Sequence, residues 1–191
     1  MKLTKEQLVE TGMELFKREG FDKVTVDRIC AEAGVTKGSF YHHFKTKNEL
    51  LLNYYNILLS NPMNMALNIL EENDPKEQLW MAIEYSINAT ISLGADLLHH
   101  MLVADMSQGG EIFTPYYSQQ HGDTKDYLDF VFRLIDKCQK NRVVRNTYTA
   151  KDLWFAYISG LMGIAMHWSS SKNSYDQKAE LRRLFEIIFS K

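Results

Sequence analysis

Between Thr36 and Lys47 the chain reads TKGSFYHHFKTK, a run made almost wholly of hydrogen-bond donors, cations and aromatic rings. Thr36, Lys37, Gly38 and Ser39 come first. If a helix begins at Thr36, its free backbone N–H groups and positive dipole end favour an anion such as a phosphate. Lys37 adds a mobile cation for a phosphate or a guanine edge. Gly38 costs up to about 1 kcal/mol against Ala inside a helix, which makes sense where a polynucleotide must come close. Phe40 and Phe44, four apart, share one face and read as core, so Tyr41 and His42 turn outward toward phosphates or base edges. Lys45 and Lys47 flank the next helix start, where Lys47 can join backbone N–H groups in holding a phosphate. This is recognition chemistry, with no bond made or broken. Taken alone, the run equally suits a solvated helix packed on its neighbours, with His42-His43 a surface pair.

The flanking elements supply the context. Thr4-Lys5-Glu6-Gln7 is a capping box, and the helix it opens buries Leu8, Gly12, Leu15 and Phe16 before Gly20 stops it. Thr25 is the next N-cap, with Asp27 in the first turn. Val26, Ile29, Cys30 and Ala33 form its buried stripe, and Gly34 ends that helix. Thr36 caps the third helix. Thr46-Lys47-Asn48-Glu49 is a further capping box, opening a helix expected to run to about Glu72. Two short helices around a tight turn, the second beginning with small, polar and basic residues, form a helix-turn-helix that can lie in a DNA major groove.

Residues 4–50 resemble the N-terminal domain of the TetR family of transcriptional regulators. The resemblance is carried by Val24-Thr25, Ile29, Ala33-Gly34-Val35, the run from Thr36 to Phe44, Lys47 and Leu50, about a quarter of the chain. Arg28-Ile29-Cys30 departs from the family's frequent Ile-Ala. The resemblance implies DNA contacts from Thr25, Lys37, Ser39, Tyr41, His42 and Lys47, with Thr36 and Gly38 supporting the approach. It also implies a homodimer using the last long helices. The rest of the chain resembles the family only in helical layout and length.

The remainder is punctuated by helix starts and has almost no strand-like alternation. Asp74-Pro75-Lys76-Glu77 places Pro at a first helical position, and its helix is expected to reach about Leu93. Gly94 reads either as a break or as a tolerated interior glycine. Ala95–Ser107 is helical again, and Gly109-Gly110, Thr114-Pro115 and Gly122 mark an irregular segment. Helices follow from Asp123 to about Asn141, from Thr149 to about Ser170, and over a last stretch carrying Leu181, Leu184, Phe185 and Ile188 on one side. The expected fold is all-α with about nine helices. A three-helix DNA-binding head over 1–47 precedes a ligand-binding and dimerisation body over 48–191.

The stretch Leu153–Trp168 is apolar all round and must be covered on both sides. One face carries Leu153, Ala156, Gly160, Gly163 and His167. A second subunit is a natural cover, and Tyr127, Val131 and Leu134 offer themselves to the same seam, giving a four-helix bundle about a two-fold axis. A central helix of a monomer would share this pattern. Dimerisation has a functional reason, since two reading helices about 34–36 Å apart read a palindrome. Trp80, Tyr85, Met101, Phe113, Tyr117, Tyr157, Met162 and Met166, with Asp105 as a polar group, suit an apolar cavity for a small hydrophobic ligand. Met and aromatic stripes are also ordinary core.

Composition sets the outer bounds. In 191 residues, hydrophobic content is 45% and net charge −2, split as +1 over residues 1–50 and −3 beyond. Bulk charge therefore neither makes nor excludes a nucleic-acid partner, and local placement must carry it. Cys30 and Cys138 sit at apolar helical positions and read as buried hydrophobes. No signal-peptide core or span of about 20 apolar residues occurs, so a soluble cytoplasmic protein with no membrane partner is expected. No Gly-rich phosphate loop, nucleophile elbow, HExxH or paired-cysteine site is present; no enzyme, metal or cofactor is expected. The reading is a repressor released from a double-stranded DNA operator by a small hydrophobic ligand. The rival is a DNA-binding regulator without a ligand.

Overall fold

The computed structural model describes residues 5–59, 68–69, 71–107, 123–171 and 174–190. Eight helices and no strand occur among them: α1 (Lys5–Glu19), α2 (Val26–Ala33), α3 (Lys37–His43), α4 (Lys47–Leu59), α5 (Pro75–Ser107), α6 (Asp123–Lys140), α7 (Ala150–Ser170) and α8 (Gln177–Ile188). Gly94 is a break, with φ 77° and ψ 165° inside α5. Counting the two halves of α5 separately yields the nine expected pieces.

That break divides the core. Beyond it, Leu97, Leu98, Met101 and Leu102 pack with Leu8, Phe16, Ile29, Phe40, Leu50 and Tyr55 of the first four helices, joined by Ala165 and Trp168 near the end of α7. Before it, Leu79, Ile83 and Ile87 pack with Val131 and Ile135 of α6, Tyr157 and Leu161 of α7, and Leu181, Phe185 and Phe189. A left-handed φ is open to glycine without a steric penalty, so a single residue lets one long helix serve both clusters. The first four helices do not close their own core; the second half of α5 completes it.

Caps hold the helix starts. Thr149 and Asp152 form a reciprocal capping box at α7, each side chain accepting from the other's backbone N–H at 3.2 Å. At α4, Thr46 Oγ1 accepts from the Glu49 N–H at 3.1 Å, while Glu49 reaches back to the Lys45 N–H at 2.6 Å, one residue earlier than expected. Thr4 lies outside the described residues, as do residues 60–67, so the expected fourth helix to Glu72 is described from Lys47 to Leu59 and again as helical at residues 68–69 and 71. Cys30 and Cys138 are buried free thiols, as their positions implied. No helix among the described residues is long and apolar enough to cross a membrane.

Candidate nucleic-acid interface

Thr25 and Thr36 each cap a helix, accepting from the N–H groups of Arg28 and Ser39 at 3.2 Å. Between them Gly34 adopts φ 67°, and the Val35 N–H returns to the Cys30 carbonyl at 3.0 Å, closing the turn. That left-handed position is where glycine is favoured. Ion pairs of Glu19 and Glu32 with Arg18 and Arg28 tie the end of α1 to α2 across the surface. Hydrogen bonds, from Arg18 first for Glu19 and from Arg28 first for Glu32, hold both carboxyls below the usual carboxylate range.

α3 is two-faced. Phe40 and Phe44 are fully buried, with ring centroids 5.7 Å apart. Outward stand Thr36, Lys37, Gly38, Tyr41 and His42, all exposed, with Ser39 half-buried beside them. Tyr41 is 54% exposed, and its ring meets the edge of Phe40. A Cβ built on Gly38 would meet only Thr36 Oγ1, at 3.7 Å, so nothing inside the chain requires a glycine there.

Two lysines stand differently from the sequence picture of free cations. Lys37 Nζ lies 2.7 Å from Asp27 Oδ1, and this hydrogen bond holds its ammonium above the usual lysine range. Lys47 is half-buried and donates to the carbonyls of Phe21 and Val24. Its ammonium caps the α1–α2 connection, because those carbonyls lie outside any helix and need a donor. Asp27 and Phe21 are residues that the sequence pattern missed as partners; each sits ten or more positions from the lysine it meets, and no local periodicity reports such a pairing.

The body corrects several expectations. Tyr127, Val131, Leu134 and Leu153, assigned to a seam between subunits, are turned into the chain's own core; Tyr127 donates to the Ala82 carbonyl at 3.2 Å. A bundle whose interior is this apolar has no surplus to lend from that side of α6. Gly160 is filled internally, since a Cβ there would fall 2.7 Å from Leu184 Cδ2. Ala156, Gly163 and His167 remain exposed on the outer face of α7. Gly160, Gly163 and His167 line an open groove of about 500 Å³ with Ile164, Tyr175 and Glu180.

The ligand-lining residues are not gathered into one place. Met166, expected inside, is 46% exposed on the outer face of α7. Trp80 and Tyr157 pack with Phe185 in one cluster, where Arg182 lies over the Trp80 ring; Met101 belongs to the other. Met162 is partly buried against both clusters, Tyr85 is partly buried, and Asp105 is 2% exposed. Phe113 and Tyr117 lie outside the described residues. An open cleft of about 780 Å³, unforeseen from sequence, lies where Phe16, Lys17 and Gly20 face Leu93, Gly94, Leu97 and His99.

Comparison with known proteins places this arrangement. Residues 8–54 match the family model of bacterial regulatory proteins, tetR family. An uncharacterised helix-turn-helix transcriptional regulator of Bacillus subtilis, YerO, is 40% identical over 78 residues, which cover 39% of this chain and 27% of that protein. The regulator AcrR of Shigella flexneri is 24% identical over 97% of this chain and 87% of its own length. Among solved structures, Thermus thermophilus FadR, a repressor in complex with lauroyl-CoA, superposes with a TM-score of 0.71. It does so at 17% identity over 97% of this chain and 93% of that one, which speaks for the fold. With the polar face of α3 outward on a capped helix, residues 8–54 carry the N-terminal domain of the tetR family of bacterial regulatory proteins, and the chain as a whole is similar in sequence to AcrR and in fold to FadR.

Proposed function

We propose that this regulator acts as a homodimeric repressor that holds a palindromic operator and lets go of it when a small hydrophobic ligand occupies the body. The observation that carries the DNA half is the split of α3, with Phe40 and Phe44 sealed inside while Lys37, Gly38, Tyr41 and His42 face solvent. A solvated helix has no need of that exposed glycine. Thr25, Thr36 and Ser39 complete the contacting surface, and Lys47 contributes by fixing the approach of α4. Residues 1–47 are the reading head and 48–191 the regulatory body, a division of labour rather than of packing.

The exposed face of α7 with Ala156, Gly163 and His167 supports pairing of two chains, because α7 is otherwise apolar and one side lacks a cover. One short helix reads too few base pairs for useful selectivity, whereas two at one helical turn read a palindrome. The two apolar interiors, one holding Trp80 and Tyr157 and the other Met101, with Met162 packed against both, are the kind of surroundings that such a ligand prefers. The fold likeness to an acyl-CoA-bound repressor makes lauroyl-CoA a reasonable first probe.

A ligand shifts DNA affinity only if it binds one dimer shape better than the other. The break at Gly94 is a natural place for that difference, since it joins the body core to the head core. Selection of sites from a randomised duplex pool, followed by anisotropy titration with and without lauroyl-CoA or a panel of neutral hydrophobic compounds, tests the proposal. A palindromic consensus bound by two chains, weakened at least tenfold by one probe, supports it. A consensus whose affinity no probe changes would leave a DNA-binding regulator without a ligand.

A further inference from the structure

We infer that Asp27 sets DNA specificity, by holding the Lys37 ammonium as a base-directed donor instead of a phosphate counterion. The inference rests on the reading of α3 as the DNA-facing helix. Asp27 is the second residue of α2 and Lys37 the first of α3; the turn at Gly34 brings their ends together at 2.7 Å. Both side chains are more than 60% exposed. A single pair so exposed contributes little to stability; the first turn of α2 favours a carboxylate at Asp27, but does not require Lys37 opposite it. A carboxylate on a DNA-facing surface repels phosphates, a cost to binding unless its charge is answered.

Pairing answers it. With Asp27 beside it, Lys37 adds no net positive charge at the surface and releases few counterions on binding. A phosphate could draw Lys37 away only by leaving Asp27 unpaired against the DNA backbone. Two of the three ammonium N–H donors remain open, as does the second carboxylate oxygen. In the major groove a guanine presents O6 and N7 as acceptors, and its cytosine partner presents the N4 amino group as donor. A donor and an acceptor held side by side suit that G·C edge. An A·T pair instead offers a thymine methyl group and a different order of donor and acceptors.

The test uses the full chain. Sites are selected from a randomised duplex pool for the wild type, Asp27→Asn, Asp27→Glu and Lys37→Met, and affinities are followed against salt. The wild type is expected to prefer G·C at one position per half-site. Asp27→Asn should lose roughly tenfold of that preference, bind random DNA more tightly, and steepen the slope of log affinity against log salt by about one. Asp27→Glu should restore most of the preference. In the Lys37→Met background Asp27→Asn should leave the G·C preference unchanged, whereas a purely structural role at the start of α2 would act in both backgrounds. Unchanged preference and slope in Asp27→Asn, with the wild type still selecting a site, overturns this inference alone. A wild type that selects no sequence overturns the DNA reading as well.

Discussion

The Lys47 ammonium rests 4.2 Å from the centroid of the Phe21 ring while donating to the Phe21 carbonyl at 2.7 Å. His100, from the second half of α5, stacks on the same ring at 4.4 Å, and Phe16 of α1 meets it at 4.7 Å. Phe21 is thus one point where side chains of α1, α4 and α5 meet.

Lys47→Ala removes the donor for two carbonyls and the cation above the ring. A loss of about 2 kcal/mol in unfolding free energy is expected, read from the urea midpoint. DNA affinity should fall for all sequences alike, and Lys47→Met should behave the same way. A variant with full stability and altered sequence preference would contradict this assignment.

Gly38→Ala should separate stability from binding. The added methyl meets only Thr36 Oγ1 at ordinary contact distance, and alanine favours a helix over glycine by up to about 1 kcal/mol. The melting temperature should rise by a few degrees while operator affinity drops several-fold. Equal or tighter DNA binding would remove the reason for a glycine at that position.

On α7 the two glycines should part company. Gly163 has open space where a side chain would go, whereas Gly160 is pressed against Leu184. Gly163→Arg should yield a folded monomer by light scattering with helicity retained. Gly160→Val should instead loosen α7 against α8 and cost about 1–3 kcal/mol by overpacking. A Gly163→Arg protein that stays dimeric would place the seam elsewhere.

Burial pushes the Cys138 thiol up to about 11, and Asp74 adds to the effect. Its S–H also donates to the Pro75 carbonyl at 3.1 Å. A thiol whose folded value lies above its unfolded one of 9.0 adds stability at pH below that unfolded value and loses it as pH rises toward 11. The unfolding free energy of the wild type should therefore fall more steeply between pH 9 and 11 than that of Cys138→Ala. At pH 8 the native chain should resist alkylation at this residue, which mass spectrometry after iodoacetamide treatment reads directly.

What was written into the chain locally was its punctuation and its faces. Thr25, Thr36 and Thr149 announce helix starts because a hydroxyl can satisfy a free N–H only there. Phe40 and Phe44 announce an inward face because four residues make about one turn. Such signals carry the all-α class and the outward row of α3, since both depend on neighbours within a turn or two.

Tertiary packing decided the rest. Whether Gly94 breaks a helix depended on two cores pulling on α5 from opposite ends. Whether Tyr127, Val131 and Leu134 cover a partner or their own chain depended on how many apolar faces the body already had to fill. The partners of Lys37 and Lys47 came from residues ten to 26 positions away. Apolar pattern tells which side must be covered but not by what, and an ion pair depends on where the backbone returns.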